Sequence, residues 1–244
     1  MKSFDWLLNT PIAHRGLYSE SVPENSLPAF YAACDKGYSI ELDVHLLADG
    51  KIAVHHDPSL MRSCGKDVDI RTLKSSDLAN YKLFGTESTI PLLSDVLTLI
   101  NGKTGILIEI KNMTFTDRSL DAAVLKLLEG YNGNVALQSF NPSTVRYCCD
   151  NSDLAAGMLV TWQKGGKRSA FLNFCGKLHV MKFCKKADFI AYNIFDLDNN
   201  KYVNKYIHDK KMPFLTWTVR TPEQQAVAKR VGANIIFEKF TPEK

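Results

Sequence analysis

Short β-branched runs alternate with amphipathic stretches along almost the whole chain, and this alternation restricts the fold more than any other sequence feature. Strand-forming runs fall at 11–15, 39–46, 51–56, 105–111, 134–140, 154–160, 188–194, 213–219 and 233–238. Helix-forming stretches lie between them at about 25–36, 93–101, 117–130, 142–150, 169–176, 200–210 and 222–231. Several carry start signals: Asn25 or Ser26 before the first, Thr116-Asp117 before the third, Asn141-Pro142 before the fourth and Thr221-Pro222 before the last. Strands joined through helices form right-handed βαβ units and hence a parallel sheet. Taking 39–46 and 51–56 as one strand region broken at Asp49-Gly50 leaves eight β units. In 244 residues, eight units suit a closed TIM (β/α)8 barrel, which takes about 250 residues, better than an open doubly wound sheet. Region 58–92 interrupts the alternation with Ser, Lys, Asp and Gly, and is predicted to be a small insertion after strand two. The expectation is a single barrel domain over 1–244.

Between Pro11 and Pro58, three otherwise apolar strands end in, or contain, charged groups. Ile12-Ala13 runs into His14-Arg15-Gly16, Ser39-Ile40 into Glu41-Leu42-Asp43-Val44, and Ile52-Ala53-Val54 into His55-His56-Asp57. A charge on a buried strand costs several kcal/mol unless it is paired or bound to a metal. Three such strands in one window indicate a site. In a barrel of this kind, functional residues gather at the carboxyl ends of the strands. That rule adds Glu109-Ile110-Lys111 from strand three, Gln138-Ser139 from strand four and Trp217 from strand seven.

Glu41 and Asp43 are two apart, so on a strand both point to one face. Together with Glu109 they would repel and take up protons unless a cation neutralised them. An all-oxygen set suits one divalent cation, Mg2+ or Ca2+ with Mn2+ as a third candidate, rather than zinc. The alternative is a carboxylate cluster balanced by Arg15 and Lys111. His14 and His56 are the acid–base candidates. Arg15 offers a bidentate fork for phosphate and Lys111 a point charge. Metal, two histidines and two cations describe a site for phosphate esters. His45 shares the parity of Asp43 but reads as a rim or structural histidine, and His55 has the opposite parity to His56. Trp162 and Gln163 read equally as pocket lining or as a loop anchor.

Composition excludes several classes. A net charge of +4 is mild and gives no nucleic-acid footprint; lysines bunched at 164–168, 182–186 and 210–211 read as solvated loops and helix ends. Trp6-Leu7-Leu8 is too short for a signal core, and no run reaches membrane-span length, so the default location is cytoplasmic with no stable membrane association. The six cysteines show no disulfide framework. Cys175, His179 and Cys184 match no standard zinc spacing.

In order along the chain stand His14-Arg15-Gly16, Pro23-Glu24-Asn25-Ser26, Glu41-Leu42-Asp43-Val44, Asp49-Gly50 and His56-Asp57, followed by Glu109-Ile110-Lys111, Ser139-Phe140 and Trp217-Thr218-Val219. This ordered set resembles the glycerophosphodiester phosphodiesterase family, densely over 11–65 and sparsely after 140. The resemblance implies metal-dependent hydrolysis of glycerophosphodiesters to glycerol 3-phosphate and an alcohol. It makes His14 and His56 the acid–base pair and Glu41, Asp43 and Glu109 the metal ligands. Arg15 and Lys111 would steady the phosphate, Trp217 would line the glycerol side, and Glu24-Asn25 would organise the site. The partner implied is a small-molecule glycerophosphodiester; oligomeric state is open.

Two departures fall on the far side of the pocket. The family's closing Gly-x-Asp-Gly-Ile-x-Thr-Asp-x-Pro segment reads Gly232-Ala-Asn-Ile-Ile-Phe-Glu-Lys239 here, and the usual asparagine after Trp-Thr-Val is Arg220. An added cation at 220 suggests a preference for a more anionic substrate. Competing readings are a lysophospholipid or inositol-lipid hydrolase, which would need apolar membrane-seeking loops, and a non-catalytic phosphate-ester binder, which would have lost a histidine or a metal acid.

Overall fold

The computed structural model describes residues 4–161, 186–199 and 212–243. Eight parallel strands close on themselves: β1 (Ile12–Ala13), β2 (Ser39–Leu46), β4 (Ile106–Ile110), β5 (Val135–Ser139), β6 (Ala155–Val160), β7 (Phe189–Asn193), β8 (Phe214–Val219) and β9 (Asn234–Phe237). The two-residue β1 is the clasp, with Ile12 in register with Ser39 of β2 and Ile236 of β9. The ninth strand, β3 (Ile52–Val54), folds back antiparallel on β2 through the Asp49-Gly50 turn, where Gly50 takes φ +78°. Asp49-Gly50 thus breaks one strand region, and the parallel barrel keeps eight strands.

The helices are α1 (Asp5–Asn9), α2 (Leu27–Asp35), α3 (Met61–Cys64), α4 (Leu93–Ile100), α5 (Ser119–Leu128), α6 (Pro142–Asn151) and α7 (Pro222–Arg230). Ser26, Asn141 and Thr221 cap α2, α6 and α7 by accepting from Ala29 N, Ser143 N and Gln224 N, each with a proline in the first turn. α5 starts later than its signal implies. Arg118 takes the cap position, and Asp117 Oδ1 accepts from Ser119 N one residue further out. On α4, Leu93, Val96, Leu97 and Ile100 share the face turned to the sheet. Cys148 is the buried member of the cysteine pair on α6. The helices expected at 169–176 and 200–210, the residues Trp162, Gln163, Cys175, His179 and Cys184, and most of the lysine bunches lie outside the described residues.

The 58–92 region lies between β3 and α4 and carries α3 with three 3-10 turns, at Ile70–Thr72, Ser75–Asn80 and Leu83–Gly85. It has its own apolar centre, Leu60, Ile70, Leu78, Leu83 and Ile90, seated on Leu47 and Ala53 of the β2–β3 hairpin. No helix among the described residues is long and apolar enough to cross a membrane.

Alternation along the strands splits the buried side chains into two layers. Ile40, Leu42 and Val44 face the helices, whereas Ile12, Leu107, Ala136, Leu215 and Ile236 fill the barrel with Trp6 and Leu7 of α1. α1 is too short to be legible as a helix, yet burying its two large side chains contributes about 1.5–3 kcal/mol each. Higher in the barrel the space is tight. A Cβ on Gly157 of β6 would lie 2.1 Å from Cε2 of Phe189, a fully buried ring. Gly157→Ala is therefore expected to lower stability by about 3 kcal/mol through overpacking, read as a fall in the urea midpoint, with partial recovery in Gly157→Ala/Phe189→Leu. An unchanged midpoint would mean that Phe189 swings aside.

Candidate active site

Parallel pairing places Asp43 of β2 opposite Glu109 of β4, and Glu109 opposite Gln138 of β5. Glu41, two residues before Asp43, shares its face. All three carboxylates are buried, and one oxygen from each lies within 4.8 Å of the others. Two cations oppose them. Lys111 Nζ sits 2.9 Å from Asp43 Oδ1 and 2.6 Å from Glu109 Oε1, and Arg15 Nε 3.5 Å from Asp43 Oδ2. Among the described residues, Glu41 has only neutral hydrogen-bond donors, Arg15 N at 3.0 Å and Gln138 Nε2 at 3.5 Å. Burial, then the Asp43 and Glu109 charges, push its carboxyl well above the usual range. Burial, with Asp43 adding to it against Lys111, raises Glu109 to about 7. Burial would raise Asp43 as well, but Lys111 and Arg15 hold it well below the usual range. The buried Gln138 Oε1 accepts no hydrogen bond, and Asp43 Oδ1 is met by the Lys111 ammonium alone among the described residues. One surplus carboxylate and unfilled oxygen lone pairs fit a hard divalent cation.

Above the carboxylates, the chain turns sharply at His14-Arg15-Gly16. Arg15 has φ +60° and Gly16 φ +79°, and a Cβ on Gly16 would meet the Ala29 backbone at 2.8 Å. Asn25, buried and also left-handed at φ +53°, closes the turn by donating N–H to Arg15 O at 2.9 Å. Its side chain donates to Asp43 Oδ2 at 2.8 Å. Glu24 Oε1 accepts from Arg15 Nη1 at 2.7 Å and from Arg62 Nη2 at 2.6 Å. Arg62, on α3 of the insertion, was not signalled by any sequence motif.

Both candidate histidines are held through Nδ1 by a carboxylate. His56 donates to Asp57 Oδ1 at 2.7 Å, and Arg62 Nε secures the other Asp57 oxygen at 2.6 Å. His14 donates to Glu238 Oε2 at 2.6 Å. In each ring Nε2 is left as the acceptor. Burial lowers the pKa of both rings, with Glu238 opposing at His14 and Asp43 opposing at His56. His45 and His55 are structural. His45 Nε2 donates to His56 O at 3.1 Å, and burial lowers its pKa to about 4. His55 donates Nδ1–H to Asp57 O, and its Nε2 accepts from Ser63, each at 2.7 Å. Trp217 uses its Nε1–H on Ala191 O and presents its ring edge-on to Phe140 at 5.4 Å.

A profile of the glycerophosphoryl diester phosphodiesterase family matches residues 14–241. The chain belongs to that family. A glycerophosphodiester phosphodiesterase from Bacillus altitudinis is 35% identical over 141 residues, covering 53% of this chain and 57% of that protein. A lysophospholipase D from Rattus norvegicus is 36% identical over 102 residues, 36% of this chain and 32% of that one. The matched stretches thus span little more than half of these curated relatives or less. A phosphodiesterase from Oleispira antarctica, solved in complex with the product sn-glycerol-3-phosphate, shares the fold with a TM-score of 0.77 at 20% identity, over 95% of this chain and 93% of that one.

The departures from the family pattern prove to be in contact. Arg220 donates Nε–H to Glu238 Oε1 at 2.7 Å. The charge added at 220 is compensated within the protein. Glu238 was not singled out in the sequence, because a lone glutamate just past a strand gives no signal by itself.

The positive φ at Asn25 and its bonds to Asp43 yield a test. Asn25→Ala removes the donor to Asp43 Oδ2 and strains the backbone, with an expected loss of about 2–4 kcal/mol. Asn25→Gly loses the same bond without the strain, and should be the more stable of the two by roughly 1 kcal/mol in denaturant titration. Equal midpoints would count against backbone strain at this turn.

Proposed function

We propose that the protein hydrolyses glycerophosphodiesters to glycerol 3-phosphate and an alcohol, using one divalent cation, Mg2+, Ca2+ or Mn2+. The observation that carries this reading is the pair of histidines, each with Nδ1 fixed on a carboxylate, around one buried Glu41–Asp43–Glu109 cluster whose Asp43 charge acts on both rings. The product bound to the Oleispira antarctica relative supports the same substrate class.

Glu41, Asp43 and Glu109 would hold the cation, which when bound supplies charge neutralisation and polarises a phosphoryl oxygen. Arg15 and Lys111 orient the phosphate and balance its charge. One histidine Nε2 takes the proton of the nucleophile as its oxygen attacks phosphorus. The other, entering the step protonated on both nitrogens, gives its Nε2 proton to the leaving alcohol oxygen as the P–O bond breaks. The nucleophile is water or the substrate's own glycerol hydroxyl, which would yield a cyclic phosphate first. Trp217 and Phe140 form the apolar wall on the glycerol side.

A second reading widens the substrate to lysophospholipids. Met113 and Phe115, on the loop after β4, are 81% and 71% exposed. The loop backbone is nevertheless tied down: Asn112 O and Thr114 O accept from Asn141, Thr114 O also from Arg118, and Phe115 O from Ser143. Two apolar side chains held outward on a fixed loop beside Phe140 suit an acyl chain, and the lysophospholipase D relative points the same way.

Release of glycerol 3-phosphate from glycerophosphocholine, with each cation and with a chelator, tests the main reading. Turnover should be metal-dependent and fall roughly 10²–10⁴-fold in His14→Ala and in His56→Ala. Folded protein without turnover in any cation would sink it. With choline release as the readout, lysophosphatidylcholine turnover lost selectively in Met113→Ser/Phe115→Ser would support the wider substrate range, and none in the wild type would end it.

The raised Glu109 carboxyl makes cation binding pH-dependent. In the free protein Glu109 holds a proton below about 7, so binding there must expel it. Affinity should therefore weaken as pH drops through about 7, by about tenfold per unit for each carboxyl that must shed a proton. Calorimetry in buffers of different ionisation enthalpy reads the protons released. Binding without proton release at about pH 6 would contradict the cluster's assignment as the cation site.

A further inference from the structure

Glu238 is tied to three separate elements. Its Oε2 accepts His14 Nδ1–H at 2.6 Å from the end of β1, and its Oε1 accepts Arg220 Nε–H at 2.7 Å from the end of β8. The Tyr18 hydroxyl, on the segment leading to α2, also bonds to it. The backbone is fixed on both sides: Glu238 N donates to Val219 O at 3.0 Å, and His14 N to Phe237 O at 2.9 Å. The carboxylate side chain is only 6% exposed, against 29% for Asp57, its counterpart on His56. Three donors converging on one buried carboxylate keep it ionised and leave it no freedom to turn away.

We propose that Glu238 is the positioning residue for His14, and that Arg220 is present to hold Glu238 rather than to contact substrate. The proposal rests on the hydrolase reading above. A carboxylate can only accept, so His14 must carry its proton on Nδ1 and present Nε2 to the phosphate. A neutral histidine without such a partner can place its proton on either nitrogen, and the wrong tautomer cannot take a proton at Nε2. The anionic partner also stabilises the imidazolium that forms when Nε2 accepts a proton, offsetting the burial that disfavours it. Arg220 and Glu238 are paired with one another, so the anionic partner of His14 adds no net charge to the site.

Two readouts separate positioning from mere structural support. Long-range 1H–15N spectra of 15N-histidine-labelled protein, with His14 assigned by its loss in His14→Ala, report the tautomer directly and do not depend on turnover. Wild-type His14 should show the Nδ1–H form, and Glu238→Ala should lose it. In the Mg2+-supported glycerophosphocholine assay, Glu238→Ala should lower kcat roughly 10–100-fold with KM within about 3-fold, less than the loss in His14→Ala. Glu238→Gln is isosteric and serves if Glu238→Ala does not fold. Its amide oxygen can still accept from Nδ1, so it should keep the tautomer but lose part of kcat. Retention of the Nδ1–H form in Glu238→Ala, or wild-type kcat in Glu238→Gln, would overturn the proposal. Inactive wild-type protein with a normal His14 tautomer would instead sink the hydrolase reading and leave the His14–Glu238 interaction standing.

Discussion

The structure depends on confining more negative than positive charge in the upper half of a closed barrel. Glu41, Asp43 and Glu109 lie within a few ångströms of one another, and among the described residues only Lys111 and Arg15 pair with them. In a low-dielectric interior this arrangement is tolerable only if every remaining donor is aimed at it. The local irregularities follow from that need. Arg15 adopts a left-handed backbone and turns its N–H onto Glu41, and Asn25 adopts another to deliver its amide to Asp43. Such conformations cost about 1–2 kcal/mol each in a non-glycine residue. They persist because relaxing either would take a close donor from a buried carboxylate.

From that centre, ion pairs run outward to both edges of the mouth. On one side Arg15 shares Glu24 with Arg62, which also holds Asp57 and through it His56. The insertion is therefore wired into the site by Arg62, and its apolar centre fixes that arginine to the barrel. On the other side Glu238 joins His14 to Arg220 across β1, β9 and β8. Each histidine has a carboxylate behind it, but in different settings. Asp57 is partly open to water, whereas Glu238 is enclosed, so the two rings differ in how firmly they are held.

The apolar lower half of the barrel serves the same end. Trp6 and Leu7 close it from below and Phe189 packs against Gly157, so the carboxylates stand on an apolar floor. Dry surroundings are what raise Glu41 and Glu109, and so make the cluster a strong claimant for a cation or for protons.

Much of this was legible in the sequence because it is written in local periodicity. Strand alternation put Glu41 and Asp43 on one face, the gathering of functional residues at strand ends added Glu109, the Asp49-Gly50 turn reduced nine strand runs to eight units, and caps at Ser26, Asn141 and Thr221 marked helix starts. Ordered motifs named the family. What the sequence could not supply were contacts between residues distant in the chain. Glu238 meets His14 across 224 positions, Arg62 reaches Glu24 across 38, and α1 finds the barrel floor only once the barrel exists. Nor could composition tell that the cation at 220 is neutralised at 238. Periodicity determines which face a side chain takes, because that is a property of a single strand or helix. Which charges end up paired is decided by closure of the barrel, because only then do the ends of β1, β8 and β9 lie side by side.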